Sequence, residues 1–379
     1  MNLGVTMPQA AEVVRVRGPE LRKEFMELPF AIYRDDPLWI PPSRKREEEL
    51  LAGSHPCSSF LESRSFLARA GDRPLGRITA FINHAASGAR GPAAALGHFE
   101  CVPDQAISSA LFDAALDWLA ARGARRVHGP LDGSIWISYR LVTAGFGPPP
   151  FPGEPYNRPY YPEFFQAAGF RPLQRWFSFV PRGRDLEKFD ARGRDALERT
   201  TGHGYRFRRI DFGNLERELR IVHGLLMDSF SDFVGFHRLD FPVFFRMFGE
   251  MKSLSHPDLI RIAHDPEGRP VACFVCLFDH ARAVRAMKGR DGLAARIRFH
   301  LHRRPASVLA LYLGKARGQG RAAAGVGLAL TNLVLAEARR RGLEMTHALV
   351  AESSPMLKFA PRGREPLREY TLYERSLPE

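Results

Sequence analysis

The sequence predicts an α/β (α+β) protein built from two tandem units, each a mixed, mostly antiparallel sheet flanked by helices. The chain has 379 residues, which suits two domains of about 180 residues better than one compact core. Apolar runs of strand and helix period recur in the same order in both halves: hairpin, strand, long amphipathic helix, strand, short helix, strand. Hydrophobic and charged contents of 45% and 26% are those of a globular protein.

The repeated order of elements divides the chain at a charged, Gly-rich stretch. The first predicted unit is residues 1–180. It is followed by a linker, 181–204, in which one short helix is possible, and by the second unit, 205–379. The long helix of the first unit follows Asp104, a capping residue, whereas that of the second unit follows a Gly-rich turn. The strands RPLQRWFSFV and REYTLYER are predicted to close the first and the second unit, respectively.

The formal net charge of +13 suits an acidic partner: CoA phosphates, an acidic acyl carrier protein, anionic lipid or nucleic acid. Nucleic acid is excluded from the prediction, because the basic residues are spread out and no recognition motif is present. No apolar run approaches the roughly 20 residues of a membrane-spanning helix, and the first residues lack the pattern of a signal peptide. A cytoplasmic location is therefore expected. Cys273 and Cys276 lack a second ligand pair, so no metal site is predicted.

A basic insertion, residues 281–305, separates the second hairpin from the strand that follows it. It contains eight arginine or lysine residues and interleaved apolar residues, among them Ile297, Phe299 and Leu301. Such a segment suits peripheral contact with the inner face of a membrane, or with an acidic carrier protein. A solvated helix in an arginine-rich protein is the alternative.

The order of elements, with a Gly-rich turn between the middle strand and the long helix, resembles the GNAT acyltransferase fold. Several segments are similar to a bacterial group of two-unit GNAT-like N-acyltransferases: LPFAIYRDDPLWIPP, GRITAFINH, HFECVPDQAISSALFDAALDWL, VHGPLDGS and PYNRPYYPEFFQAAGF. The resemblance covers nearly the whole chain, most tightly residues 28–180, and extends to the bacterial ceramide synthases, which acylate a sphingoid-type amine. It implies an acyltransferase whose second unit binds an acyl thioester of CoA or phosphopantetheine.

The Gly-rich turn GQGRAAAGVGLAL matches the phosphate-binding pattern of that family in part. Gly325 and Gly327 match its glycines, Ala322 stands where the family has Arg or Gln, and Arg321 lies one place early. Free amides and the dipole of a helix N-terminus attract phosphate there. A Gly-rich helix start without a ligand is the alternative. The candidate cofactor-binding residues are Gly325, Val326, Gly327, Arg321 and Leu313.

The equivalent segment of the first unit, ECVPDQAISSAL, predicts no phosphate site. It has no glycine, Pro103 lacks an amide donor, and Asp104 places negative charge where a phosphate would bind. This unit is therefore expected to be a degenerate copy that shapes the acceptor or acyl pocket. The alternative is that its polar and aromatic residues are half-buried packing residues. The candidate substrate-binding residues are His98, Glu100, Asn157, Tyr156 and Tyr160.

Acylation of an amine requires a group that removes a proton from the ammonium and a group that protonates the leaving thiolate. Glu352, at the end of the strand MTHALVAE, is the predicted general base; an ion-pair role is the alternative. Tyr370 and Tyr373 are the candidate acids, as the family resemblance implies, and core packing is their alternative.

Three functions remain open on the sequence alone. The most specific is transfer of a long-chain acyl group to a sphingoid-type lipid amine, which forms a ceramide. The others are N-acetylation of a small molecule or amino acid, and a non-catalytic binding module with the GNAT fold. A bound acyl chain longer than acetyl distinguishes the first from the second.

Overall fold

The computed structural model describes residues 11–88, 91–361 and 368–378, so the predicted absence of a signal peptide falls partly outside the described residues. Contacts divide the chain into two compact units. Unit 1 holds the described residues up to Arg175, the segment Met287–Arg296 and the residues from Tyr370 onward. Unit 2 holds Trp176–Ala286 and the described part of Ile297–Glu369. The predicted fold class is confirmed.

The sheet of unit 1 has the order β1-β2-β3-β4-β5. Its neighbours are antiparallel except β4 and β5, which pair in parallel at Ala94↔Val127 and Ala95↔His128. Its elements are β1 (Glu12–Arg15), α1 (Gly18–Ile32), α2 (Arg44–Ala52), β2 (Leu61–Ala70), β3 (Arg73–Gly88), β4 (Gly91–Cys101), α3 (Gln105–Ala120), β5 (Arg126–Gly129), β6 (Leu141–Ala144) and α4 (Tyr161–Ala167).

Helix α3 contributes to the apolar core of unit 1. It begins at the residue that the sequence predicts. The Asp104 carboxylate accepts hydrogen bonds from the amides of Ala106 and Ile107, which satisfies two of the free donors of the first turn. The buried face of α3 includes Leu111 and Phe112, which belong to the same apolar cluster as the sheet residues and α4.

The sheet of unit 2 has the order β12-β11-β10-β9-β8, with only β11 and β12 in parallel. Two further strands lie partly in each unit: β7 (Arg171–Phe179) and β13 (Arg368–Ser376). The other elements are α5 (Gly183–Gly202), β8 (Arg206–Arg209), α6 (Leu215–Ser229), α7 (Phe241–Phe248), β9 (Ile260–His264), β10 (Pro270–Phe278), α8 (Ala281–Met287), α9 (Leu293–His302), β11 (Val308–Lys315), α10 (Val326–Arg340) and β12 (Met345–Ala351). Of these, the last residue of α8 and the first four residues of α9 belong to unit 1.

The closing strands differ from the prediction. In unit 1, β5 pairs with the last strand of the chain, from Gly129↔Tyr373 to Arg126↔Ser376. In unit 2, β12 pairs with the end of β7, at Phe179 and Phe177. The partners of both strands differ from those expected, because alternation of apolar residues predicts a strand but not the strand that it pairs with. The boundaries at 180 and 205 stay a prediction.

The segment predicted as the linker contains a longer helix than the short one that its sequence allows. Most of 181–204 forms α5, a helix that buries Phe189, Ala196 and Thr200 at helical spacing. Gly193 permits a close approach to α10, since a Cβ there would lie 2.7 Å from the Asn332 Cβ. This helix is part of the unit 2 core, to which Phe189 contributes.

The basic insertion folds into α8 and α9. Leu293, Ile297 and Leu301 of α9 are exposed, whereas Ala295 is buried. None of the helices in the described ranges is both long and apolar enough to cross a bilayer.

Candidate functional site

Unit 2 contains an opening between its two parallel strands. The pairing of β11 with β12 ends at Ala310↔His347, after three residue pairs. Beyond it, Leu311–Leu313 of β11 and Leu349–Ala351 of β12 are half-buried, whereas the paired residues before it are buried. Leu349 has a φ of 60°, and its amide donates to the Ser178 Oγ at 3.1 Å. The backbone of β12 thus turns away from β11, leaving accessible strand edges.

The N-terminus of α10 follows the open part of β11. Gly325 occupies the N-cap position with a φ of 102°, which strongly favours glycine. No side chain caps the helix, and its first turn contains no acidic residue. The amides of this turn and the positive end of the helix dipole therefore suit an anion such as phosphate.

Two cationic side chains that the sequence did not single out lie at this turn. A Cβ on Gly325 would be 2.9 Å from the Arg199 Nη2, and a Cβ on Gly327 would be 3.0 Å from the Lys315 Nζ. Burial lowers the pKa of Lys315. The space that both glycines leave is thus bordered by positive charge, which supplements the attraction of the helix for phosphate.

The predicted cofactor residues are brought together around the turn. The Leu313 Cδ2 would lie 3.1 Å from a Cβ on Gly327, so Leu313 packs against the first turn of α10. Arg321 is exposed in a 3-10 turn just before Gly325. Arg317 is directed elsewhere: its Nη2 donates to Asp232 at 2.6 Å. Phosphate binding by the five predicted residues stays a prediction.

The three predicted catalytic residues fall in different units. Glu352 is exposed and directly follows β12, the strand that borders the opening. Tyr370 and Tyr373 belong to unit 1 and are buried. Tyr370 donates a hydrogen bond to Glu154, and the Tyr373 ring lies 5.7 Å from that of Phe165. These contacts favour the packing alternative for both tyrosines, and the geometry supports Glu352 as the catalytic candidate.

In unit 1, the corresponding space beside β4 is filled by its own side chains. The Tyr161 hydroxyl donates to the Glu100 Oε2 at 2.7 Å and accepts from the Cys101 amide at 2.9 Å. The Phe99 ring packs against the rings of Phe112 and Phe165, which also contact each other. Because the Asp104 carboxylate caps α3, the amides of Ala106 and Ile107 in its first turn are already hydrogen-bonded and do not form a free site for phosphate.

The candidate substrate residues of unit 1 have protein partners. The Asn157 side chain accepts from the Val142 amide at 2.7 Å and donates to two carbonyls, so it fixes backbone. The hydroxyl of Tyr156 donates to Asp36, and that of Tyr160 donates to the Cys101 carbonyl. This bonding supports the packing alternative for these three residues, and their contact with substrate stays a prediction.

His98 and Glu100 have partners of different kinds. His98 has a φ of 47°, its amide donates to Asp132 at 2.8 Å, and its Nδ1 lies 3.2 Å from the Thr79 hydroxyl. Burial raises the pKa of Glu100 to about 7, against the opposing effect of the Arg77 guanidinium. Glu100 therefore exchanges its proton near neutral pH, a property that strand alternation does not predict.

No group of three or more His, Cys, Asp or Glu side chains in the described ranges is arranged to hold a metal ion. The four cysteines are buried thiols. Burial raises the pKa of Cys273 to about 12, which keeps this thiol protonated at neutral pH.

His347 has a structural role with a measurable consequence. Its ring stacks on Phe179 and meets Phe189 edge-on, beside a cavity of about 250 Å³. Burial lowers its pKa from 6.5 to about 4, so the folded protein keeps it neutral while the unfolded chain takes up a proton. We expect the free energy of unfolding to fall as the pH drops from about 6.5 to about 4, by up to about 3 kcal/mol from this residue.

Denaturant unfolding at several pH values tests this expectation. His347→Phe keeps an aromatic ring and should flatten the pH dependence in that range, whereas His203→Phe, at an exposed position, should leave it unchanged. A residual slope is expected because the pKa of His237 is also lowered to about 4. An unaltered slope in His347→Phe would contradict the assignment.

Comparison with known proteins finds sequence similarity over most of the chain. No protein-family model matches it. Protein YghO of Escherichia coli (strain K12) is 26% identical over 276 residues, which are 70% of this chain and 68% of YghO. A bacterial ceramide synthase of Caulobacter vibrioides (strain NA1000 / CB15N) is 29% identical over 229 residues, 59% of this chain and 59% of the synthase.

Solved structures share the fold. A tandem GNAT protein from the clavulanic acid biosynthesis pathway aligns with a TM-score of 0.50 and 14% identity, over 97% of this chain and 98% of that protein. A GCN5-related glucosamine N-acetyltransferase region of a fungal multi-domain β-N-acetylglucosaminidase aligns with a TM-score of 0.52 and 16% identity, over 98% of this chain but 38% of that protein. The predicted tandem GNAT fold is confirmed, and the predicted similarity to a bacterial ceramide synthase is found.

Proposed function

We propose that this tandem GNAT-like acyltransferase moves a long-chain acyl group from acyl-CoA, or from an acyl carrier protein, to the primary amine of a sphingoid-type lipid. The observation that carries the proposal is the opening between β11 and β12, next to the uncapped, Gly-rich start of α10. An acyl thioester with a phosphate-bearing arm requires an accessible strand edge and an anion site close together.

Different residues of unit 2 have different roles in the proposed reaction. The first amides of α10, with Arg199 and Lys315, bind phosphate. Backbone amides at the open edges of β11 and β12 align the arm and polarise the thioester carbonyl. Glu352, exposed beside the opening, accepts a proton from the substrate ammonium through water.

Three separate observations support a long acyl chain and a lipid amine as the proposed substrates. A relative with 29% identity is a ceramide synthase, the chain contains 28 phenylalanines, and α9 exposes three large aliphatic side chains. In unit 1 the start of α3 is capped by Asp104, which fits the proposed role of this unit in shaping the acceptor or acyl pocket. The start of α10, with Arg199 and Lys315 beside it, suits the phosphates of CoA and the phosphate of the phosphopantetheine arm of a carrier protein.

Native mass spectrometry with a panel of acyl-CoAs from acetyl to palmitoyl tests the proposal. Selective retention of the long-chain species is the expected result. Retention of acetyl-CoA alone would instead support a small-molecule or amino-acid N-acetyltransferase. If neither the acyl-CoAs nor an acyl carrier protein is retained, the chain is a non-catalytic binding module.

A further inference from the structure

Helix α9 carries an apolar stripe that the protein leaves uncovered. Leu293, Ile297 and Leu301 are 77%, 52% and 74% exposed, and they are the large hydrophobic residues that stand out as exposed in the described ranges. Their spacing of four residues places all three on one face of the helix. Isolated exposed leucines are common in proteins, but three in one row form a continuous apolar surface.

The opposite face attaches α9 to the protein. Ala295 is 2% exposed, and the Phe299 ring lies 5.6 Å from that of His280. Residues 295 and 299 lie roughly opposite the stripe at 100° per residue. The helix is therefore held by one side while the apolar stripe points to solvent.

Positive charge surrounds the stripe. One aspartate, Asp291, is the sole acidic residue of the segment 281–305, and it accepts a hydrogen bond from Ser43. Five exposed arginines on and beside α9 have no carboxylate partner among the described residues: Arg290, Arg296, Arg298, Arg303 and Arg304. Apolar residues flanked by unpaired arginines are the composition of a helix that lies in the surface of an anionic bilayer.

We propose that α9 docks the protein on anionic membranes, with Leu293, Ile297 and Leu301 inserted among the lipids and the arginines at the headgroups. A bilayer offers the stripe an apolar phase and the arginines anionic headgroups at one interface, so lipid is the partner that we propose. Docking would bring the protein to its proposed acceptor, because a sphingoid-type amine resides in a membrane. The role of docking in catalysis rests on the proposed function. The docking itself stands on the geometry of α9 alone.

Co-sedimentation of the full chain with vesicles tests the docking. Binding to vesicles that contain phosphatidylglycerol, and much weaker binding to pure phosphatidylcholine, is expected. The variant L293Q/I297Q/L301Q keeps helix-forming residues at exposed positions and should lose about tenfold or more in partitioning. Removing charge in R296Q/R298Q/R303Q should abolish the preference for phosphatidylglycerol.

The variant R22Q/R73Q/R184Q is the matched control, since it removes the same charge from exposed sites outside the insertion. It should bind nearly as well as the unaltered protein. Equal binding of L293Q/I297Q/L301Q and the unaltered protein would overturn the proposal, and so would binding to an acyl carrier protein without binding to vesicles. Retention of acyl-CoA, measured separately, tests the proposed function, so the two can fail independently.

Discussion

Replacement of Gly325 by aspartate is expected to reduce the affinity of the protein for CoA by about 100-fold or more. The new carboxylate would stand at the N-cap of α10, where it both repels phosphate and caps the free amides. It would also pair with Arg199, whose guanidinium borders this position. Each effect removes a contribution that the anion site makes to binding.

The isosteric Gly325→Asn variant is the control for shape. Asparagine has nearly the same shape as aspartate, so both meet the same strain at a φ of 102° and the same contacts with the Arg199 Nη2 and the Ala196 Cβ. We expect it to lose roughly fivefold or less in affinity. Isothermal titration with CoA distinguishes the two variants, and thermal melting shows that both are folded. Equal losses in both variants would mean that the turn is sensitive to shape rather than to charge.

Removal of the carboxylate in Glu352→Gln is expected to lower kcat by roughly 100- to 10,000-fold. The amide cannot accept the proton, yet Glu352 lies outside the phosphate-binding turn, so retention of acyl-CoA should be unchanged. The defect should shrink at high pH, where the amine substrate loses its proton to solvent. Steady-state kinetics with palmitoyl-CoA and a sphingoid amine measure both effects.

Glu267→Gln is a suitable control for this variant, because Glu267 is exposed in the turn between β9 and β10. It should leave kcat near that of the unaltered protein. A loss in Glu352→Gln that is the same at every pH would argue that Glu352 positions the strand end instead of accepting a proton.

Local signals in the sequence predicted most of the elements. Asp104 caps α3, and Gly325 precedes α10, because capping and turn preferences act over a few residues. The partners of β7 and β13 could not be predicted this way. Their pairing joins segments far apart in the chain, and alternation of side chains is the same whichever strand lies alongside.

The sequence predicted the part of the candidate site that the glycines of the turn form. It did not predict the side chains that other elements contribute to the site. Arg199 lies on α5, a segment whose high charge and glycines favoured a linker. The buried positions Phe189, Ala196 and Thr200 follow a helical period and were the available signal. Lys315 ends β11, and its approach to Gly327 depends on how the strand packs on α10.

The pairing of β13 with β5 has a consequence for protein synthesis. Residues 370–376 are translated after unit 2, yet they belong to unit 1, where residues 373–376 pair with β5. Domains usually fold as they leave the ribosome, N-terminal first. Here β5 keeps an unpaired edge until residues 373–376 have been translated and have left the ribosome, so a nascent chain that stalls before them carries an open sheet edge that other chains can occupy.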